Sequence, residues 1–190
     1  PQLLDSGLGE LHLNVIRGRM KDIFGVETGI EEPKVAYRET IRGRANGVRG
    51  RLKKQSGGRG QFGEVWINLE PTQPGESGDD EFEFVNKVVG GSVPTNYIPA
   101  VEKGIREART SGVLAGYPFV GFRVTLYDGK HHPVDSSDLA FQIAGSQALR
   151  EATLDAKPVI LEPIMDVEIS VPDQFMGDVI GDLNSRRGQV

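Results

Sequence analysis

The residues most able to do chemistry fall in two short stretches. The first is Gln55-Ser56-Gly57-Gly58-Arg59-Gly60-Gln61-Phe62-Gly63, where Gly58, Gly60 and Gly63 fit the G-x-G-x-x-G spacing of a dinucleotide loop. That spacing cradles a pyrophosphate only where the loop opens a helix, because the phosphate sits on the helix's unpaired N–H groups. Here Val65, Ile67 and Leu69 follow at once, and their alternation predicts a strand. The dinucleotide reading fails on that context. What remains is a glycine-rich tip with a cation (Arg59), an amide (Gln61) and an aromatic ring (Phe62). Such a set can meet phosphates, base edges and base faces. A plain surface turn is the competing reading.

The second stretch is Lys130-His131-His132-Pro133, with Asp135 and Asp138 just beyond. Two adjacent imidazoles rarely ligate one ion together, and no H-E-x-x-H occurs. The run Asp135-Ser136-Ser137-Asp138 is better explained as the capped start of a helix, with carboxylates at its positive end. His131 and His132 then read as an exposed loop tip, and His12, between Leu11 and Leu13, as structural. No G-x-x-x-x-G-K-[ST] is present to hold a nucleoside triphosphate. No Ser/His/Asp set has supporting context, so nothing marks this chain as an enzyme.

Charge is unevenly spread. Between positions 38 and 59 lie eight basic residues and one acidic one, whereas seven acidic and no basic residues lie between 64 and 83. A net charge of −5 hides this partition. A basic cluster among glycine turns suits a phosphate backbone; two solvated faces that neutralise each other is the alternative. No apolar run approaches the roughly 20 residues of a membrane helix, and no signal-peptide pattern opens the chain. With no cysteine, disulfides and thiolate metal sites are excluded, and a cytoplasmic location is the simplest reading.

The elements that must position the two stretches follow from periodicity. Asp5 or Ser6 caps a helix to about Phe24, with Leu8, Leu11, Val15, Met20 and Ile23 as its buried stripe and Gly25 as its stop. Strands are predicted at 34–40, 48–54 and around 65–70. A Pro/Gly loop over 71–80 leads to a strand at 81–89, and the pair reads as a hairpin. A helix with Pro99 in its first turn carries Ile98, Val101, Ile105 and Ala108. A strand over 120–126 then ends in an Asp128-Gly129 turn. The capped helix to about Ala156 buries Leu139, Ile143 and Leu149. A strand over 165–171 precedes a last helix with Met176, Val179, Ile180 and Leu183 at i, i+3, i+4 and i+7, closed by Gly188. The class is α+β. Residues 40–158 supply one complete core, while 1–39 and 159–190 are each too small to bury an apolar face alone. The chain opens Pro1-Gln2 with helix signals almost at once and stops just past a helix end, so a fragment of a longer protein is expected.

Several long motifs resemble one family. Lys54 to Gly63 resembles the first tip loop of the fourth domain of bacterial elongation factor G. The run Gly90-Gly91-Ser92-Val93-Pro94-Thr95-Asn96-Tyr97 resembles the helix entry of that domain. Leu126-Tyr127-Asp128-Gly129, with His132 and Val134-Asp135-Ser136-Ser137, resembles its second tip loop. Ser6 to His12 is similar to the last helix of the third domain. Leu161 to Met165 and Gly177 to Gly188 are similar to the start of the fifth. The resemblance implies a central fold like ribosomal protein S5 domain 2, with a left-handed βαβ crossover, flanked by partial ferredoxin-like units. It implies a tRNA-like arm entering the small-subunit decoding region, with rRNA, tRNA and mRNA as partners and no membrane. The tip would comprise Gln55, Ser56, Gly57, Gly58, Arg59, Gly60, Gln61, Phe62, Lys130, His131, His132 and Pro133. No cofactor is expected in this chain; GTP and Mg would belong to a GTPase domain upstream. Pro133 departs from the family's usual carboxylate there. A paralogue acting in ribosome recycling or ribosome protection is one alternative, and a free-standing S5-like RNA-binding module is another.

Overall fold

The computed structural model describes residues 7–31, 34–55, 60–72 and 82–190. In chain order its elements are α1 (Glu10–Phe24), β1 (Arg38–Ile41), β2 (Ala45–Lys54), β3 (Gln61–Pro71), β4 (Phe82–Asn86), α2 (Ile98–Thr110), β5 (Phe122–Lys130), α3 (Asp138–Asp155), β6 (Pro158–Leu161) and α4 (Met176–Ser185). This is the α+β class the sequence predicts. Four strands form one sheet in the order β2-β3-β5-β4, and β1 pairs antiparallel with β6. Within the larger sheet β2–β3 and β3–β5 are antiparallel, whereas β4 runs parallel to β5. The route from β4 through α2 to β5 is thus a βαβ crossover.

That parallel pairing corrects the predicted hairpin. A connection of about ten residues cannot enforce pairing as a two- to five-residue turn does. The apolar face of β4 therefore finds β5, where the Phe82 and Phe122 rings lie 5.0 Å apart. Asp128 and Gly129 also differ from expectation. They lie inside β5, opposite Trp66 and Val65, because a bulge beside Tyr127 lets the strand continue to Lys130. The predicted strand over 165–171 forms no ladder among the described residues, and Met165, Val167 and Ile169 stay exposed. Alternation marks a segment able to pair, but a strand needs a neighbour's N–H and C=O groups.

One core joins Val65, Ile67, Leu69, Phe122, Val124 and Leu126 of the sheet to Val101 and Ile105 of α2 and Phe141, Ala148 and Leu149 of α3. The α3 helix meets the sheet on one side and α2 on the other, so its buried face is mostly small: Ala140, Ala144, Gly145, Ala148 and Ala152. The predicted Leu139 is instead exposed. Two glycines permit this approach. A Cβ on Gly50 would stand 2.0 Å from the Ala144 carbonyl oxygen, and one on Gly104 would stand 2.0 Å from that of Gln142.

The flanks behave differently. The predicted caps Asp5 and Ser6 lie outside the described residues; Gly25 ends α1 in the left-handed conformation at φ 67°. Neither α1 nor α4 has a buried residue, so Leu11, Val15 and Ile23 form an exposed stripe rather than the expected buried one. Pairing of β1 with β6 draws the two ends of the central unit together, Arg38 opposite Leu161 and Ile41 opposite Pro158.

Glu39, on β1, is fully buried, and its carboxylate accepts four backbone N–H groups. These come from Val113 at 2.6 Å, Leu114 at 2.9 Å, Ala115 at 2.7 Å and Tyr117 at 3.1 Å. Burial alone pushes the carboxyl's pKa up. The converging N–H groups outweigh it and hold the pKa below the ordinary glutamate value. A group depressed on folding stabilises fully above its unfolded value and loses that contribution as pH falls through the folded one.

Two outcomes follow. Acid unfolding followed by circular dichroism should steepen below about pH 4.3, the unperturbed glutamate value, and Glu39→Gln should flatten that region while lowering stability at neutral pH. Gly104→Ala should cost about 2–3 kcal/mol or more by overpacking, read as a fall of several degrees in Tm.

Candidate nucleic-acid interface

The seating of α3 on β2 and β3 fixes where its first residues stand, beside the beginning of β3. Ser137 is extended, at φ −153°, and its hydroxyl accepts the Ala140 N–H at 3.2 Å, so within the capping run 135–138 expected from the sequence Ser137 is the N-cap. The loop before it is closed by its own groups. The Ser136 N–H donates to the His132 carbonyl at 3.2 Å, and the His132 N–H donates to Ser136 Oγ at 2.8 Å.

Ser136 also reaches the other stretch. Its hydroxyl donates to the Phe62 carbonyl at 2.9 Å, and the Phe62 N–H donates to the Asp135 carbonyl at 2.8 Å. Residues 62 and 136 thus form a short parallel bridge between the glycine-rich stretch and the histidine loop. Gly60 makes room for it, since a Cβ there would meet the Asp135 carboxylate at 2.8 Å. The Phe62 and His132 rings stand edge to face, centroids 6.4 Å apart.

His132 is oriented from behind. Its Nδ1 faces the N–H groups of Val134 at 3.3 Å and Asp135 at 3.2 Å, so as an acceptor it carries its proton on Nε2. Asp135 Oδ2 lies 3.4 Å from the same Nδ1, a partner for the imidazolium. The side chain is about half exposed at 51%. It can therefore offer a donor and a ring edge to a ligand at once.

The remaining predicted residues sit around this junction. Gln55 follows β2 and is exposed; Gln61 opens β3 opposite Lys54 and is exposed. Lys130 ends β5 opposite Glu64, with His131 and Pro133 exposed beyond it. Ser56, Gly57, Gly58 and Arg59 lie outside the described residues. Phe62 and Gly60 are in contact with the second loop, whereas no bond joins Gln61 or His131 to it among the described residues. Among those residues, no three His, Asp or Glu side chains converge as metal ligands, and no helix is long and apolar enough to cross a membrane.

Sequence reasoning missed Ser136 as the brace, having absorbed it into the helix cap. The signal was present in two adjacent serines before one helix. A helix uses one N-cap, so one of the two hydroxyls is left for another purpose, and the structure shows that it is Ser136.

Residues 33–157 match the family model described as elongation factor G, domain IV, and residues 159–190 match that of the elongation factor G C-terminus. The chain belongs to the elongation factor G family. This places it among the elongation factors of protein biosynthesis. It is also similar to a crystal structure from Thermus thermophilus, at 45% identity and a TM-score of 0.78. That match covers 95% of this chain and 26% of the Thermus chain, so the chain spans about a quarter of that relative's length. In this elongation factor G chain one hydroxyl joins the two loops from both sides, as the Ser136 Oγ accepts the His132 N–H and donates to the Phe62 carbonyl. Ser136→Ala should cost only about 1 kcal/mol yet raise amide hydrogen exchange at His132 and Phe62 together. Ser136→Thr should restore the protection.

Proposed function

We propose that residues 40–158 form an arm that enters the ribosomal decoding region and accompanies GTP-dependent movement of tRNA and mRNA. Residues 1–39 and 159–190 would be parts of the neighbouring domains. The observation that carries the reading is the junction of Phe62 with His132, tied by Ser136, at one end of an elongation factor G domain IV. An end built this way presents a ring, an imidazole and an amide on a rigid base. These groups suit RNA and make or break no covalent bond. Arg59, Gln61, His131 and His132 would contact rRNA, tRNA or mRNA, with Lys130 and Gln55 nearby and Pro133 stiffening the loop. GTP and Mg would be handled by a GTPase domain of the longer protein, in the cytoplasm. A recycling or ribosome-protection factor is the alternative, favoured by Pro133 in place of a carboxylate.

Single-turnover translocation by the full-length factor tests this. Gln61→Ala and His132→Ala should slow tRNA–mRNA movement about tenfold or more while leaving GTP hydrolysis unchanged, and should change stability by no more than about 0.5 kcal/mol. Parental translocation rates in both variants would instead point to the recycling or protection role.

A further inference from the structure

The helices α2 and α3 cover one face of the four-stranded sheet, and the other face carries the residues that alternate with the core. On β2 these are Arg49, Arg51 and Lys53, which lie opposite Trp66, Glu64 and Phe62 of β3. Strand geometry spaces the three cations over about 14 Å in one line. Arg49 lies over the Trp66 ring at 5.8 Å, and Arg51 over the Phe62 ring at 5.9 Å. Arg51 is also paired with Glu64 at 3.1 Å. Arg49, Lys53 and Lys54 have no carboxylate partner among the described residues. The charge is graded along the face. Farther from the histidine loop, Arg123 is neutralised by Glu83 and Glu70, bonds that raise its pKa, and Arg44 lies 3.6 Å from Glu70.

We propose that the half of this open face nearest the histidine loop, Arg49, Arg51 and Lys53 with Trp66 and Phe62, binds single-stranded RNA. The phosphates would track β2, and bases would stack on the rings and guanidinium planes. An acidic peptide would satisfy the same cations but leave the aromatic faces unused, and stacking on such rings is a feature of single-strand binding. The site adjoins the proposed tip through Phe62, so it deepens that reading by extending the RNA contact along the arm.

Trp66 is the only tryptophan of the chain and reports on its own face. A fluorescein-labelled single-stranded RNA should be titrated into the 190-residue chain at low salt, with anisotropy and Trp66 emission followed together. Both should saturate at one midpoint, with emission quenched. Arg49→Ala should weaken binding severalfold and reduce the slope of log affinity against log salt by about 0.7. Trp66→Leu, followed by anisotropy alone, should weaken binding about tenfold, with circular dichroism confirming the fold. Anisotropy that rises while Trp66 emission stays constant would overturn this site and leave the tip reading intact. Polyglutamate that competes as well as unlabelled RNA would reduce the face to a general polyanion patch and overturn it too. No binding at any salt would overturn it outright, while the translocation test would still judge the tip.

Discussion

The end of the central unit that carries the histidine loop depends on how closely α3 approaches its neighbours. A helix lying on a sheet usually keeps its distance through large side chains that interdigitate. Here the contact is made by Ala140, Ala144, Gly145 and Ala148, with Gly50 and Gly104 opposite, so backbone meets backbone. At such distances a single methyl group has nowhere to go, and α3 has one available position. Its N-terminus is therefore fixed against the start of β3. The loop leading into it stands where Ser136 can bond to Phe62. The bond between the loops is an outcome of core packing.

A second constraint acts at the opposite end. Glu39 brings a negative charge into the interior, which is tolerated only because the segment after α2 wraps four N–H groups around it. The same residue gives its own N–H to the Pro118 carbonyl and accepts the Val120 N–H. One carboxylate thus shapes an irregular segment that has little else to order it and ties it to the β1–β6 pair. The base of the unit is held by charge-assisted hydrogen bonds and its body by apolar contact. In the flanks the charged groups bond within their own segments, Arg17 to the Thr28 carbonyl and Arg187 to Glu162, and no residue of α1 or α4 is buried. Leu11, Ile164 and Met165 remain exposed because α1, α4 and residues 162–171 join no sheet among the described residues.

The electrostatic partition seen in the primary sequence acquires a shape in the sheet. Half of the basic run, Arg49, Arg51, Lys53 and Lys54, lies on one strand, β2, and part of the acidic run becomes the facing positions of β3 and β4. Neutralisation is then local. Arg51 meets Glu64 and Arg123 meets Glu70 and Glu83, while the cations of β2 closest to the histidine loop are left facing solvent. A sum over the sequence cannot show this, because register decides which charges are neighbours.

Periodicity and turn chemistry alone were enough to place α2, α3 and α4, the strands at β2, β3 and β5, a side-chain cap within 135–138 and the glycine stop of α1. These are local features, set within a few residues by side-chain direction and backbone propensity. The motifs of the two stretches also pointed to RNA-directed chemistry, and the family followed from their order. Other features were decided only in three dimensions. β4 chose β5 over β3, Asp128-Gly129 became part of a strand, and 165–171 found no partner, because strand pairing depends on which edges packing brings together. The role of Ser136 was left open for the same reason. A hydroxyl can cap, brace or face water, and only the seating of α3 against the sheet determined which carbonyl lay within its reach.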